Sequence, residues 1–197
     1  MTKPEDVLSY WFGAFDAPDY PQAKPEIYWG KSAEIDADIR EKFGDAIEMS
    51  ARGELAAWRE TPHGLLAHII LIDQMTRNMY RDTAEMYAQD NDAQELSLLG
   101  VEFARPFLTH TEQQFLLMPL MHAENVALQR LCVRLFEEIA RFARPEDRVA
   151  AENVAGFARK HAVIVERFGR FPHRNEILGR ETTPEEAEFL TGPDSSF

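Results

Sequence analysis

The stretch Leu65-Leu66-Ala67-His68-Ile69-Ile70-Leu71-Ile72-Asp73-Gln74-Met75-Thr76-Arg77-Asn78-Met79-Tyr80-Arg81 decides the fold. Thr61-Pro62 ahead of it reads as a helix cap and a first-turn proline, where the missing N–H is not needed. From Leu65 to Ile72 the side chains are apolar almost all round, which predicts a helix buried on every side. The run is far too short to span a bilayer, so it must be covered by other protein elements.

The flanking sequence supplies the cover. Upstream, Thr2 and Glu5 have capping-box spacing with Pro4 inside the first turn, and Val7, Leu8 and Trp11 follow at core positions. Gly13 ends that segment, and Pro18, Pro21 and Pro25 make residues 15–25 an extended connector. Ser32 is placed to cap a helix whose Ile35, Ile39, Phe43 and Ile47 form one stripe, closed by Gly53, with a short helix over Leu55 to Trp58. Downstream, Asp90 is the expected N-cap of a helix carrying Leu96, Leu99 and Phe103, and Thr109 and Glu112 form a second capping box before Phe115. Pro119 is expected to separate this helix from one running from about Glu124 to Phe142, with Leu128, Leu131, Leu135, Ile139 and Phe142 on one side. A further helix spans about Pro145 to Phe168, with Val154, Phe157, His161, Ile164 and Phe168 aligned. Thr183-Pro184-Glu185-Glu186 starts a terminal helix to Leu190, and a flexible tail is expected over about 192–197. With no alternating strand pattern and no hairpin turn signal, the reading is all-α: antiparallel helix pairs in a single helical domain over 1–197.

Composition narrows the function classes. The chain has 197 residues and a net charge of −13, which argues against general nucleic-acid binding. The acidic opening residues carry no apolar leader pattern, so a cytoplasmic protein without a membrane anchor is expected. The one cysteine, Cys132, has no internal disulfide partner and falls on an apolar helix face, where packing explains it. Residues 159–180 stand apart, with six basic side chains against two acidic ones in an otherwise acidic protein.

Three constellations carry possible chemistry. Asp73, Arg77 and Arg81 are spaced by four, which puts them on one face of a continuing helix. Their arginine forks suit a carboxylate or phosphate, or an internal acid. Arg170, His173, Arg174 and Asn175 follow Gly169 on a donor-rich segment that Phe168 and Phe171 anchor. The same donors can cradle an anion or cap helix C-termini. His122 and Glu124 stand near a helix N-terminus, where either can act as acid or base. The six histidines show no helical metal-ligand spacing. His122, His161 and Glu124 are the one cross-helix combination worth naming, and no metal is expected. No Gly-rich phosphate loop, nucleophile elbow or Cys-x-x-Cys occurs, so no cofactor is expected.

These segments, together with Tyr10-Trp11-Phe12-Gly13, Gly53-Glu54-Leu55-Ala56-Ala57-Trp58, Met118-Pro119 and Leu178-Gly179-Arg180, resemble a bacterial all-helical family, domain of unknown function nine-two-four. The string Arg167-Phe168-Gly169-Arg170-Phe171-Pro172-His173-Arg174-Asn175 is its most specific part. The resemblance covers nearly the whole chain and implies a tetratricopeptide-like helical fold, with no reaction to carry over. This chain has Met75-Thr76 where the family has Phe-Pro, and Ala123 and Asn125 where the family has Ser and Asp.

The function reading that follows is a binding module, with Asp73, Arg77, Arg81, Arg170, His173, Arg174 and Asn175 around a polar pocket for a small anion or a peptide or partner carboxylate. One alternative is a hydrolase-like or isomerase-like enzyme with His122 or His173 as general base. The other is a purely structural ion-pair network without a ligand.

Overall fold

Helices, turns and loops make up the described chain, and no strand occurs among the described residues, so the fold is all-α. The computed structural model describes residues 1–196; Phe197, the last residue of the expected tail, lies outside them. The chain gathers into two compact units, Met1–Pro119 and Leu120–Phe197, each described by itself. No described helix is long and apolar enough to cross a membrane.

The first unit opens with α1 (Pro4–Phe12), which buries Val7, Leu8, Trp11 and Phe12. Its cap falls one residue later than the spacing predicts, because the Asp6 carboxylate accepts the Lys3 backbone N–H at 2.8 Å. The proline-rich connector contains turns and the short α2 (Pro25–Tyr28). Then α3 (Ala33–Ala51) begins at Ser32, whose hydroxyl accepts from the Ile35 N–H at 3.3 Å, and buries Ile39, Phe43 and Ile47.

A 3₁₀ turn (Ala56–Glu60) leads to α4 (Pro62–Ile69), capped by the Thr61 hydroxyl at 3.1 Å from the Gly64 N–H. The helix does not stay regular. Residues Ile70–Met75 form a wide π segment before α5 (Thr76–Met79). All residues from Gly64 to Met75 are buried, as the all-round apolar pattern requires.

Asp90 is not a cap: it is the first residue of α6 (Asp90–Phe103), and its carboxylate goes to an arginine instead. This helix buries Ala93, Leu96, Ser97 and Gly100, whereas Leu99 is exposed. The Thr109–Glu112 capping box starts α7 (His110–Met121), with the Thr109 N–H 2.8 Å from the Glu112 carboxylate. Pro119 lies inside α7 rather than breaking it. The chain breaks two residues later.

In the second unit Asn125 caps α8 (Val126–Phe142) with its side-chain oxygen 2.9 Å from the Ala127 N–H. The following α9 (Arg148–Phe168) runs antiparallel to it, as the ion pairs Arg130–Glu166 at 2.8 Å and Arg159–Glu137 at 3.0 Å demand. Phe142 and Phe157 point outward, because α8 buries Cys132, Leu135, Phe136 and Ile139 and α9 buries Ala151, Ala155, Ala158 and Ala162. Gly169 ends α9 at φ +70, a left-handed conformation that glycine adopts without a Cβ clash. The last helix, α10 (Pro184–Leu190), has the expected Thr183–Glu186 capping box. Beyond it Ser195 is buried, and Pro193, Asp194 and Ser196 are exposed.

Gly64 is a position where the backbone leaves no room for a side chain. A Cβ there lies inside van der Waals contact with the Trp58 carbonyl oxygen, at the junction of the 3₁₀ turn and α4. Gly64→Ala is therefore expected to destabilise the protein by about 1–3 kcal/mol despite the better helix propensity of alanine, read as a lower urea midpoint.

Candidate functional site

The predicted ligand residues divide between the units. In the first, Asp73 is fully buried, and its carboxylate takes Arg77 Nη1 at 3.1 Å and Gln74 Nε2 at 2.5 Å. Arg77 also donates to the Asp73 carbonyl and reaches across to Asp90, with Nη2 2.9 and 3.1 Å from its two oxygens. Burial opposes the charge on Arg77, but the two carboxylates outweigh it and keep the guanidinium firmly protonated. This arginine ties the π segment to α6.

Arg81 does not share that face. The helix ends at Met79, and the chain turns so that Arg81 Nε and Nη2 lie 2.7 and 2.8 Å from the two Asp36 oxygens. Asn78 Nδ2 joins them at 3.1 Å. Burial raises the Asp36 carboxyl, but the Arg81 and Asn78 hydrogen bonds and the Arg81 and Arg40 charges together hold it below the usual range. These residues border an open groove of about 520 Å³, lined by Asp36, Arg40, Glu41, Asn78, Met79 and Arg81. Arg40 donates to the Met79 carbonyl. The sequence reading missed Arg40 and Asp36, since their spacing of four on an exposed helix face looks like any surface pair.

In the second unit Arg170 is spent on Glu186, with Nε and Nη2 at 2.6 and 2.8 Å from its oxygens. That pairing, above all, holds the Glu186 carboxyl at about 2. Asn175 is fully buried, and its amide donates to Thr182 and Glu186, each at 3.3 Å, while its oxygen accepts from Arg180 at 3.0 Å. Glu124 caps no helix. It accepts the Phe171 N–H at 2.7 Å and a two-pronged contact from Arg180 at 2.6 and 2.9 Å. Its burial raises the carboxyl, and the Arg180 and Phe171 hydrogen bonds more than offset this.

Arg174 is buried over the Phe171 ring at 4.5 Å and donates to the His122 carbonyl at 3.0 Å. Around the same phenylalanine stand His161 and His173, each with ring centroids 5.6 Å away, and His122 lies 6.4 Å from His161. Burial, then nearby positive charge, lowers His173 to about 4; burial chiefly lowers His161 to about 3. Both imidazoles are thus neutral at pH 7. Among the described residues no group of three or more His, Cys, Asp or Glu is arranged to hold a metal ion.

Over residues 7–194 the chain matches the model of a family described as a bacterial protein of unknown function (DUF924), and it belongs to that family. A solved structure of a protein of unknown function from Agrobacterium tumefaciens is 34% identical to it, with a TM-score of 0.79, covering 95% of this chain and 96% of that one. No curated protein matches the chain.

Arg77→Ala leaves the buried Asp73 without its main counter-charge and is expected to cost about 3–5 kcal/mol in urea unfolding. Combining Asp73→Asn with Arg77→Met is expected to recover much of that loss, since neither charge then stays unpaired.

Acid sensitivity comes in large part from two imidazoles and the Glu186 carboxylate. In the unfolded chain His161 and His173 protonate near pH 6.5, but the folded chain resists until about 3 and 4. Their contribution is therefore complete above about pH 6.5 and lost as the pH falls below it. Glu186, depressed from 4.5 to about 2, adds a second loss between those values. The melting temperature is expected to fall from pH 7 to pH 4, and less steeply in His161→Gln.

Proposed function

We propose that this DUF924 family member is a binding module that takes a small monoanion, or the carboxylate of a peptide, in the groove beside Arg40 and Arg81. The observation that carries the reading is the pair of guanidiniums on that groove. Arg81 spends Nε and Nη2 on Asp36, which leaves Nη1 as a donor, and Arg40 has no carboxylate within ion-pair distance among the described residues. An open forked donor suits a carboxylate. Glu41 on the same rim disfavours a second negative charge, so carboxylates are expected to bind better than phosphate dianions.

Arg77 fits the structural reading, because the Asp73 and Asp90 carboxylates engage it on two sides, while Arg170 pairs edge-on with Glu186 and also donates to the Glu181 carbonyl. Catalysis by His173 has less support. A base held at about 4 has little drive to take a proton at neutral pH. A cytoplasmic setting and a peptide partner suit the net charge of −13 and the helical architecture, and the same charge disfavours nucleic acid.

Acetate, an acetylated peptide with a free carboxylate and inorganic phosphate are the probes, read by thermal shift. The peptide is expected to raise the melting temperature in proportion to its saturation, phosphate less so. Arg40→Ala, on an exposed side chain, is expected to abolish the peptide shift with little change in the ligand-free melting temperature. A peptide shift that survives Arg40→Ala contradicts the assignment.

A further inference from the structure

The Arg40 groove carries two charges of opposite sign that the fold does not compensate. Arg40 and Glu41 are consecutive on α3, so their side chains leave the helix about 100° apart and do not face each other. No cation lies within ion-pair distance of the Glu41 carboxylate among the described residues, and Arg40 donates only to the Met79 carbonyl. Asp36, the other acid on the groove, is already committed: Arg81 engages both of its oxygens and Asn78 one of them.

Asn78 adds a fixed acceptor. It is 8% exposed, and its Nδ2 is held by Asp36 at 3.1 Å. A carboxylate only accepts, so the amide must turn its NH₂ to Asp36, and its oxygen is what it has left for the groove it lines. Between these polar groups Ala37 and Met79 supply an apolar wall. One surface thus holds donors for an anion, acceptors for a cation and a greasy stretch besides.

We propose that the ligand of this groove is a small amino carboxylic acid, bound as a zwitterion. Its carboxylate lies on Arg40 and Arg81, its ammonium on Glu41 and the Asn78 amide oxygen, and its methylene groups on Ala37 and Met79. The proposal deepens the carboxylate reading above and rests on it. A plain carboxylate leaves Glu41 bare beside a second negative charge, and a plain amine leaves Arg40 uncompensated. A zwitterion answers both, and it adds no net charge to a protein already at −13. The groove volume of about 520 Å³ is in the range of small-molecule sites.

The test compares glycine, β-alanine and γ-aminobutyrate with acetate, propionate and butyrate, the same chains without the amine. Dissociation constants are read at pH 7 from backbone amide shifts of the full chain. An exposed ion pair and a hydrogen bond to an amide together correspond to a gain of about three- to thirtyfold for the best amino acid over its partner. N-acetylation of that amino acid is expected to remove the gain. Glu41→Gln, on an exposed side chain, is expected to level the two ligands, and Arg40→Ala to weaken both. Simple carboxylates that bind through Arg40 with no gain from the amine overturn the zwitterion and leave the carboxylate reading standing. A gain that survives Glu41→Gln overturns it as well. If neither series shifts the amides around Arg40, both readings fall together.

Discussion

A carboxylate buried among aliphatic side chains must keep its counter-charge, and Asp73 imposes that requirement on the centre of the first unit. It has no exposure to solvent, and it follows directly on the most apolar run in the chain. Desolvating a lone carboxylate is costly enough that the surrounding chain has to bring it a partner. Arg77 meets the need and extends it, since the guanidinium bridges Asp73 to Asp90 and so fixes the π segment against the start of α6. The second unit solves the same problem around its last loop, where Arg180 closes on Glu124 and Arg170 on Glu186. In both units the arginines act first as structural bridges.

That requirement sorts the cations by function. A guanidinium held between two carboxylates has little left to offer a ligand, because binding a new anion would mean releasing an old one. A guanidinium on an open groove, engaged on one edge or by a carbonyl alone, still has unused donors and uncompensated charge. Arg40 and Arg81 belong to the second kind, which is why the proposed carboxylate site is assigned to their groove. The imidazoles around Phe171 have another character: neutral, enclosed and close to a positive charge, they serve as hydrogen-bonding groups more readily than as proton carriers.

Much of the architecture was legible because it rests on local signals. The caps at Ser32, Thr61, Thr109 and Thr183 each depend on a side-chain oxygen reaching a backbone N–H within three residues, and all four form. The all-round apolar run correctly marks a buried helix. Legibility ended where tertiary contacts overrule spacing. Asp90 has the chemistry of a cap but goes to Arg77, and Arg81 leaves the helical face because the helix stops at Met79. Leu99, Phe142 and Phe157 fit a helical stripe in sequence yet are exposed, while Gly100 of α6 and the alanines of α9 are among the buried residues. The groove was the least visible feature, since Asp36 and Arg40 come from a distant helix and no periodicity links them to Arg81.

The central claim is that Arg40 and Arg81, on the open groove, receive the ligand, while Arg77 between its two carboxylates and Arg170 on the Glu186 carboxylate away from that groove hold the fold. Its most direct test is nuclear magnetic resonance of the arginine Nε–H groups during titration with a peptide carboxylate. The account predicts saturable shifts at Arg40 and Arg81 with Arg77 and Arg170 unmoved. Shifts at Arg77 or Arg170 with Arg40 unmoved would contradict it.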